Sequence, residues 1–298
     1  MTMTPSAAPS PTPLDLFALA RTNDPLLEQQ FATHSSGTGA NATALRDMSA
    51  LVLKKGNVTV NMRFVTLHAF LSTNKLENIH EWAEKKAATY TREGQQSPAE
   101  WIRKKLSDNK DINELHTKRT RFEESFQRGH EFHYGALNIG GLGATKYGEI
   151  CVVIDNRFWD RPFSPVAYLI GDSLKIFMNH ENQLEETKLK TSIASHAQRH
   201  HLMALKHRPD LDSWPRQEWS KNVCSEMEYI EAIFVQPLTL PYVQEIRIKK
   251  SDYDRLYDLG SNNVSFGTLS EADMLLVSAF ETVNTIMMRQ NLEWKDIT

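Results

Sequence analysis

The run CSEMEYIEAIFV, late in the chain, carries acidic groups inside an apolar stretch. Read as a strand, Glu226 and Glu228 share one face, while Tyr229 and Glu231 share the other with Met227 and Ile233. A carboxylate in such a strand is paired, exposed or functional, because burying it alone is costly. A functional one could stabilise a cation that develops in a reaction. The segment NVTVNMRFV also alternates. Val58, Val60, Met62 and Phe64 share one face, and Thr59, Asn61 and Arg63 share the other. An amide and a guanidinium therefore point the same way.

Four further groupings carry chemical potential. RTRFEESF, residues 119–126, sets arginine beside Phe122 and a glutamate, a combination that could clamp a phosphate or a planar ring, or decorate a helix surface. The stretch from His133 to Ser173 crowds small residues, aromatics and fixed polar groups together without a helical period. Its turn GGLG could offer backbone N–H groups to an anion, but it matches neither the dinucleotide fingerprint nor the phosphate loop. HAQRHH places His196 and His200 four apart, the spacing of helical zinc ligands. Ala197 stands where that motif carries its general base, and no nearby set of cysteines and histidines completes a site, so surface histidines are the simpler reading. Cys151 lies in the apolar run GEICVVI and reads as a small buried hydrophobe.

These groups need elements to hold them. Residues 14–33 read as short helices, with Asn23 or Asp24 capping and Pro25 at a first helical position. Residues 43–55 read as a helix stopped by Gly56. Residues 76–118 read as helical, with Trp82, Ile102, Leu106, Ile112 and Leu115 as core positions. Strands are expected at YGEICVVID, VAYLIGD, CSEMEYIEAIFV and VQEIRI, with a helical stretch over 182–207 and a loop at RPDLDSWPRQEW. A last helix runs from Ser270, which caps with Asp273, to about Gln290; Met274, Leu275, Val277 and Phe280 form its apolar face. The order of elements predicts an α+β fold.

With 298 residues and 40% hydrophobic content, the chain can bury a sizeable core. A net charge of −3 gives no electrostatic footprint for nucleic acid. No apolar run approaches the ~20 residues of a membrane span, and two cysteines make no disulfide framework. Residues 1–13, MTMTPSAAPSPTP, read as a disordered leader without the features of a secretory signal peptide. Residues 14–298 then form one domain, helical over 14–56.

In order, VTVNMR, RTRFEESF, YGALN, KYGEICVV, IGDS and YIEA resemble the motifs of an uncharacterised bacterial family, over residues 58 to about 240. The arrangement also resembles the ADP-ribosyltransferase class of bacterial toxins and secreted effectors, in particular effectors that modify a threonine of host ubiquitin. That resemblance implies a split β-sandwich with NAD bound between two small sheets. It implies Glu231 as the catalytic carboxylate, with Glu228 as the alternative. Arg63 would hold the pyrophosphate or ribose, or His133 would be the early cationic group instead, and Asn61 would add a hydrogen bond. Tyr134 or Tyr147 would stack on nicotinamide. Phe122, Gly135, Asn138 and the Gly140–Gly143 turn would line the cleft, and Asp172 and Ser173 would fix a loop or the ribose. No metal is implied. The partner would be a host protein, reached by a dedicated bacterial secretion system that delivers the chain into the host cytoplasm. NAD hydrolysis without an acceptor and a non-enzymatic interaction scaffold are the alternatives.

Overall fold

The computed structural model describes residues 12–90, 110–159, 165–226, 228–261 and 271–297. Ile102, Leu106, Met227, Ser270 and residues 1–11 of the segment expected to be a disordered leader lie outside the described residues.

Asp15 opens the first helix, α1 (Leu16–Ser35), by accepting from the Phe17 and Ala18 N–H groups. Pro25 therefore lies inside a helix, not at its start. The two residues expected to cap are used elsewhere. Asn23 donates to the Ile193 carbonyl at 2.6 Å, and Asp24 accepts from the Ser195 N–H at 3.0 Å, which ties α1 to a strand. Next comes α2 (Ala40–Lys55), and Gly56 ends it as expected.

β1 is Asn57–Met62. The alternation holds up to Met62, but Phe64 belongs to α3 (Phe64–Thr73). Glu149 accepts from the Phe64 N–H at 3.0 Å and caps that helix from far along the chain. α4 (Ile79–Tyr90) and α5 (Lys110–Glu124) follow. Trp82 and Leu115, expected in the core, are exposed, whereas Ala83 and Phe122 are buried. β2 (His133–Asn138) was not legible as a strand, because its small residues break the alternation.

The remaining strands are β3 (Ile150–Ile154), β4 (Val166–Leu169), β5 (Ile193–Ser195), β6 (Ile230–Phe234), β7 (Val243–Ile248) and β8 (Trp294–Asp296). β5 interrupts the stretch expected to be helical, which leaves the short helix Glu186–Lys190 before it and α6 (Arg199–His207) after it. The other long helices among the described residues are α7 (Lys250–Ser261) and α8 (Glu271–Arg289). The fold is α+β.

The strands form one series in the order β5-β4-β6-β2-β1-β3-β7-β8. All neighbours are antiparallel except β7 and β8. One join differs from the rest. β1 and β2 pair only at Asn57–Asn138, Val58–Leu137 and Thr59–Ala136. Past that point β1 continues alongside β3 up to Met62, and β2 stays with β6 back to His133, without pairing to each other. The sheet is thus closed at one end of this join and parted at the other. Two apolar clusters support it. One gathers Val58, Val60 and Met62 with Val152, Ile246 and Phe280. The other packs Phe17 and Ala20 of α1 and Phe122 of α5 against Ala167, Leu169 and Ile233.

Gly135 sits where the strands diverge. A Cβ there would lie 2.7 Å from the Thr59 carbonyl oxygen and 2.9 Å from a Val58 methyl. Gly135→Ala is expected to cost about 1–3 kcal/mol of stability. Urea denaturation checks this; an unchanged midpoint would mean that the two strands separate freely.

Candidate active site

A cavity of about 300 Å³ occupies the parted end of the sheet. Val60, Asn61 and Met62 line it from β1, and His133, Tyr134, Gly135 and Ala136 line it from β2. Glu231, Arg119, Tyr147 and Tyr229 complete its polar and aromatic wall. Its volume falls at the lower end of small-molecule sites.

Glu231 stands opposite Ala136 on the neighbouring strand, with only 6% of its surface exposed. Its Oε2 accepts from the Ser173 N–H at 2.9 Å, the first residue of the short helix Ser173–Ile176. Burial raises the Glu231 pKa to about 7. Nearby Asp172 adds to the rise, and the hydrogen bonding from Ser173 and the charge of Arg119 oppose it. A carboxylate so placed is poised between its two protonation states near neutrality.

Asp172 caps that short helix by accepting from the Leu174 and Lys175 N–H groups. Its other oxygen accepts from the Tyr229 hydroxyl at 3.1 Å and from the Tyr147 hydroxyl at 3.4 Å. The two tyrosine oxygens are 2.8 Å apart. Lys146 lies 3.5 Å from the same carboxylate and covers both rings. Burial raises the Tyr147 pKa to about 12, so both hydroxyls stay protonated at neutrality.

Arg119 enters from α5. Its guanidinium lies over the Tyr134 ring, 4.3 Å from the centroid. It makes no hydrogen bond or ion pair among the described residues. Tyr134 is fixed from behind. Its hydroxyl donates to Glu123 Oε1 at 2.8 Å, and His80 Nε2 meets Glu123 Oε2 at 2.7 Å. The site thus sets a cation with no ion-pair partner among the described residues on an aromatic platform, with a buried carboxylate beside the same cavity.

Glu231, Tyr134, Tyr147, Asn61, Gly135 and His133 therefore meet at this cavity, with Ser173 and Asp172 directly behind Glu231. The other expectations need correction. Arg63 is exposed, just past the end of β1, and lines a separate surface pocket with Lys146, Glu149 and Lys249. The strand stops before it, so it does not share a strand face with Asn61. Glu228 is exposed and pairs with Lys206 at 3.1 Å. Phe122 is wholly buried in the apolar cluster under α5. His133 lines the cavity, but burial lowers its pKa to about 4, so it is neutral and no substitute for an arginine.

Asn138 does not line the cavity. Its Oδ1 accepts from the Gly140 and Gly141 N–H groups, and its Nδ2 donates to the Gly141 carbonyl. Two of the N–H groups that might have cradled an anion are consumed in holding the turn. Asn61 works on the same loop, donating to the Leu142 carbonyl at 2.9 Å and the Gly148 carbonyl at 3.2 Å. Gly143 has φ +74°, and a Cβ there would collide with Asn61 Oδ1. The glycines shape a strap that carries Ala144 and Tyr147 to the cavity.

The histidine pair is likewise separated. His196 precedes α6 and is bonded through Nδ1 to the Tyr168 hydroxyl at 2.9 Å. Among the described residues no three His, Cys, Asp or Glu side chains gather as metal ligands. Cys151 is buried, as its apolar run suggested. No helix among the described residues is long and apolar enough to cross a membrane.

Sequence reasoning marked RTRFEESF as able to clamp a phosphate, but did not single out Arg119 and Glu123 within it or join them to His80. The signal for the first two was the four-residue spacing within RTRFEESF, which puts them on one helix face. No signal in the sequence links His80 to them. No protein-family model matches the chain, and no curated protein matches it either.

Proposed function

We propose that this protein transfers ADP-ribose from NAD to a protein side chain, with the cavity of the parted sheet as the donor site. The observation that carries the reading is the meeting, in one aromatic-lined cavity, of Glu231 and an Arg119 that has no ion-pair partner among the described residues. The parting between β1 and β2 supports a split-sandwich reading of the sheet, with the donor between its two halves. Arg119 takes the role first given to Arg63 and binds the diphosphate. Tyr134, Tyr147 and Tyr229 supply the rings that a nicotinamide needs. A volume of about 300 Å³ suits the nicotinamide–ribose half of the donor.

Glu231 accepts a hydrogen bond from a ribose hydroxyl, and its charge stabilises the cation that forms as the nicotinamide–ribose bond breaks. Nicotinamide leaves with the electron pair of that bond. The acceptor oxygen bonds to the ribose carbon, and its proton passes to solvent. The cationic donor favours the ionised form of Glu231, whose pKa of about 7 leaves it responsive. The proposed acceptor is a host protein, with a ubiquitin threonine the first to test. Entry into the host cell through a dedicated secretion system belongs to the same proposal.

The test is incubation of the purified protein with labelled NAD, alone, with ubiquitin and with host-cell lysate. Label on a protein band that depends on Glu231 is expected. Free ADP-ribose formed equally in all three would replace transfer by hydrolysis. NAD left intact under every condition would overturn the reading.

A further inference from the structure

Glu123 is 4% exposed and lies on the same helix face as Arg119. A buried carboxylate four residues from an arginine ordinarily captures it as an ion pair. Here it does not. Both Glu123 oxygens are already engaged, Oε1 by the Tyr134 hydroxyl at 2.8 Å and Oε2 by His80 Nε2 at 2.7 Å. Arg119 is left over the Tyr134 ring and facing the cavity.

His80 is itself held from several sides. Its backbone N–H donates to Asn78 Oδ1 at 3.0 Å, and Asn78 Nδ2 donates to the His130 carbonyl at 3.0 Å. The hydrogen bond to Glu123 raises the His80 pKa, although burial pulls against it. Arg119 and Glu84 are the other charges that act on it, and His116 of α5 also feels both His80 and Glu123.

We infer that His80 is a positioning residue that keeps Arg119 free for the diphosphate of the donor by occupying the Glu123 carboxylate. The inference rests on the reading of the cavity as the donor site. Without His80, one Glu123 oxygen is released and the neighbouring guanidinium swings onto it. The cavity then loses its cation while keeping every residue that lines it.

The probe is ADP-ribose, measured by calorimetry, with NAD turnover followed in parallel. His80→Ala is expected to weaken ADP-ribose binding about tenfold, the scale of one lost charged hydrogen bond. KM for NAD should rise alike, and kcat should hold within about twofold. His80→Gln keeps a donor for Glu123 and should bind nearly as the parent does. The decisive variant is the double substitution His80→Ala with Glu123→Gln. It removes the competing charge and should recover most of the lost affinity, which a merely structural role for His80 would not allow. Equal binding by His80→Ala and the parent, with NAD still consumed, overturns the inference and leaves the proposed function standing. Binding of ADP-ribose that weakens and recovers as described, with no NAD consumed, upholds the inference and overturns the reaction. Absence of ADP-ribose binding by the parent overturns both.

Discussion

Glu231→Gln is expected to give a protein that is less active and more stable. The carboxyl of Glu231 has a pKa raised from the ordinary value of 4.5 to about 7 by burial. Between those values the folded chain holds a proton that the unfolded chain has released. Stability therefore falls as pH rises from 4.5 towards 7 and levels off above it. The cumulative cost at neutral pH is about 3 kcal/mol. A neutral amide escapes that cost, and its oxygen can still accept from the Ser173 N–H. Urea denaturation of the parent and the variant at pH 5 and pH 8 measures it: the gain should be large at the higher pH and small at the lower. NAD-dependent labelling moves the other way, dropping about 10²–10³-fold, the scale for loss of one electrostatic stabiliser. In the parent, kcat/KM should climb as pH rises through about 7, because the ionised carboxylate is the working form. A residue that costs stability and supplies activity is the mark of a functional site. A glutamine variant that is less stable than the parent at pH 8 would remove the basis for that assignment.

Arg119→Met should cost about 10–100-fold in ADP-ribose affinity. Methionine keeps most of the unbranched aliphatic stem that leads to the guanidinium over Tyr134, so stability should change little. The contrast lies in Arg63→Ala and Glu228→Ala. Both residues are exposed and outside the cavity, one on a separate surface pocket and the other paired with Lys206. Those two variants should bind and turn over NAD within about twofold of the parent. Loss of affinity in Arg63→Ala, with Arg119→Met unaffected, would move the anion site out of the parted sheet.

The strands that sequence reading found are those with an alternating or continuous apolar pattern. Val58, Val60 and Met62 announce β1, and VQEIRI coincides with β7. β2 escaped because Gly135 and Ala136 are small where a central strand is usually bulky. The small residues answer to the close approach of β1, a tertiary fact with no local signature. The same limit explains Arg63. Nothing near it says that the strand stops, since the group that caps the following helix is Glu149. Glu231 was legible because polarity inside an apolar strand is conspicuous. Arg119 was harder, because the helix phase that sends Phe122 into the core and Arg119 into the cavity depends on what α5 packs against. The GGLG turn invited an anion-binding reading, but Asn138 spends its N–H groups on itself.

The opening between β1 and β2 has one more effect. A strand in the middle of a sheet normally has both sides spoken for, and only the outermost strands offer unclaimed N–H and C=O groups. Here residues 60–62 and 133–135 have no ladder partner across the gap, although both strands lie at the centre of the series. The molecule carries two internal edges that flank the cavity. Main-chain groups on those edges can grip a ligand without any side chain taking part. Such a grip would survive almost every substitution and would leave no trace in the order of residues.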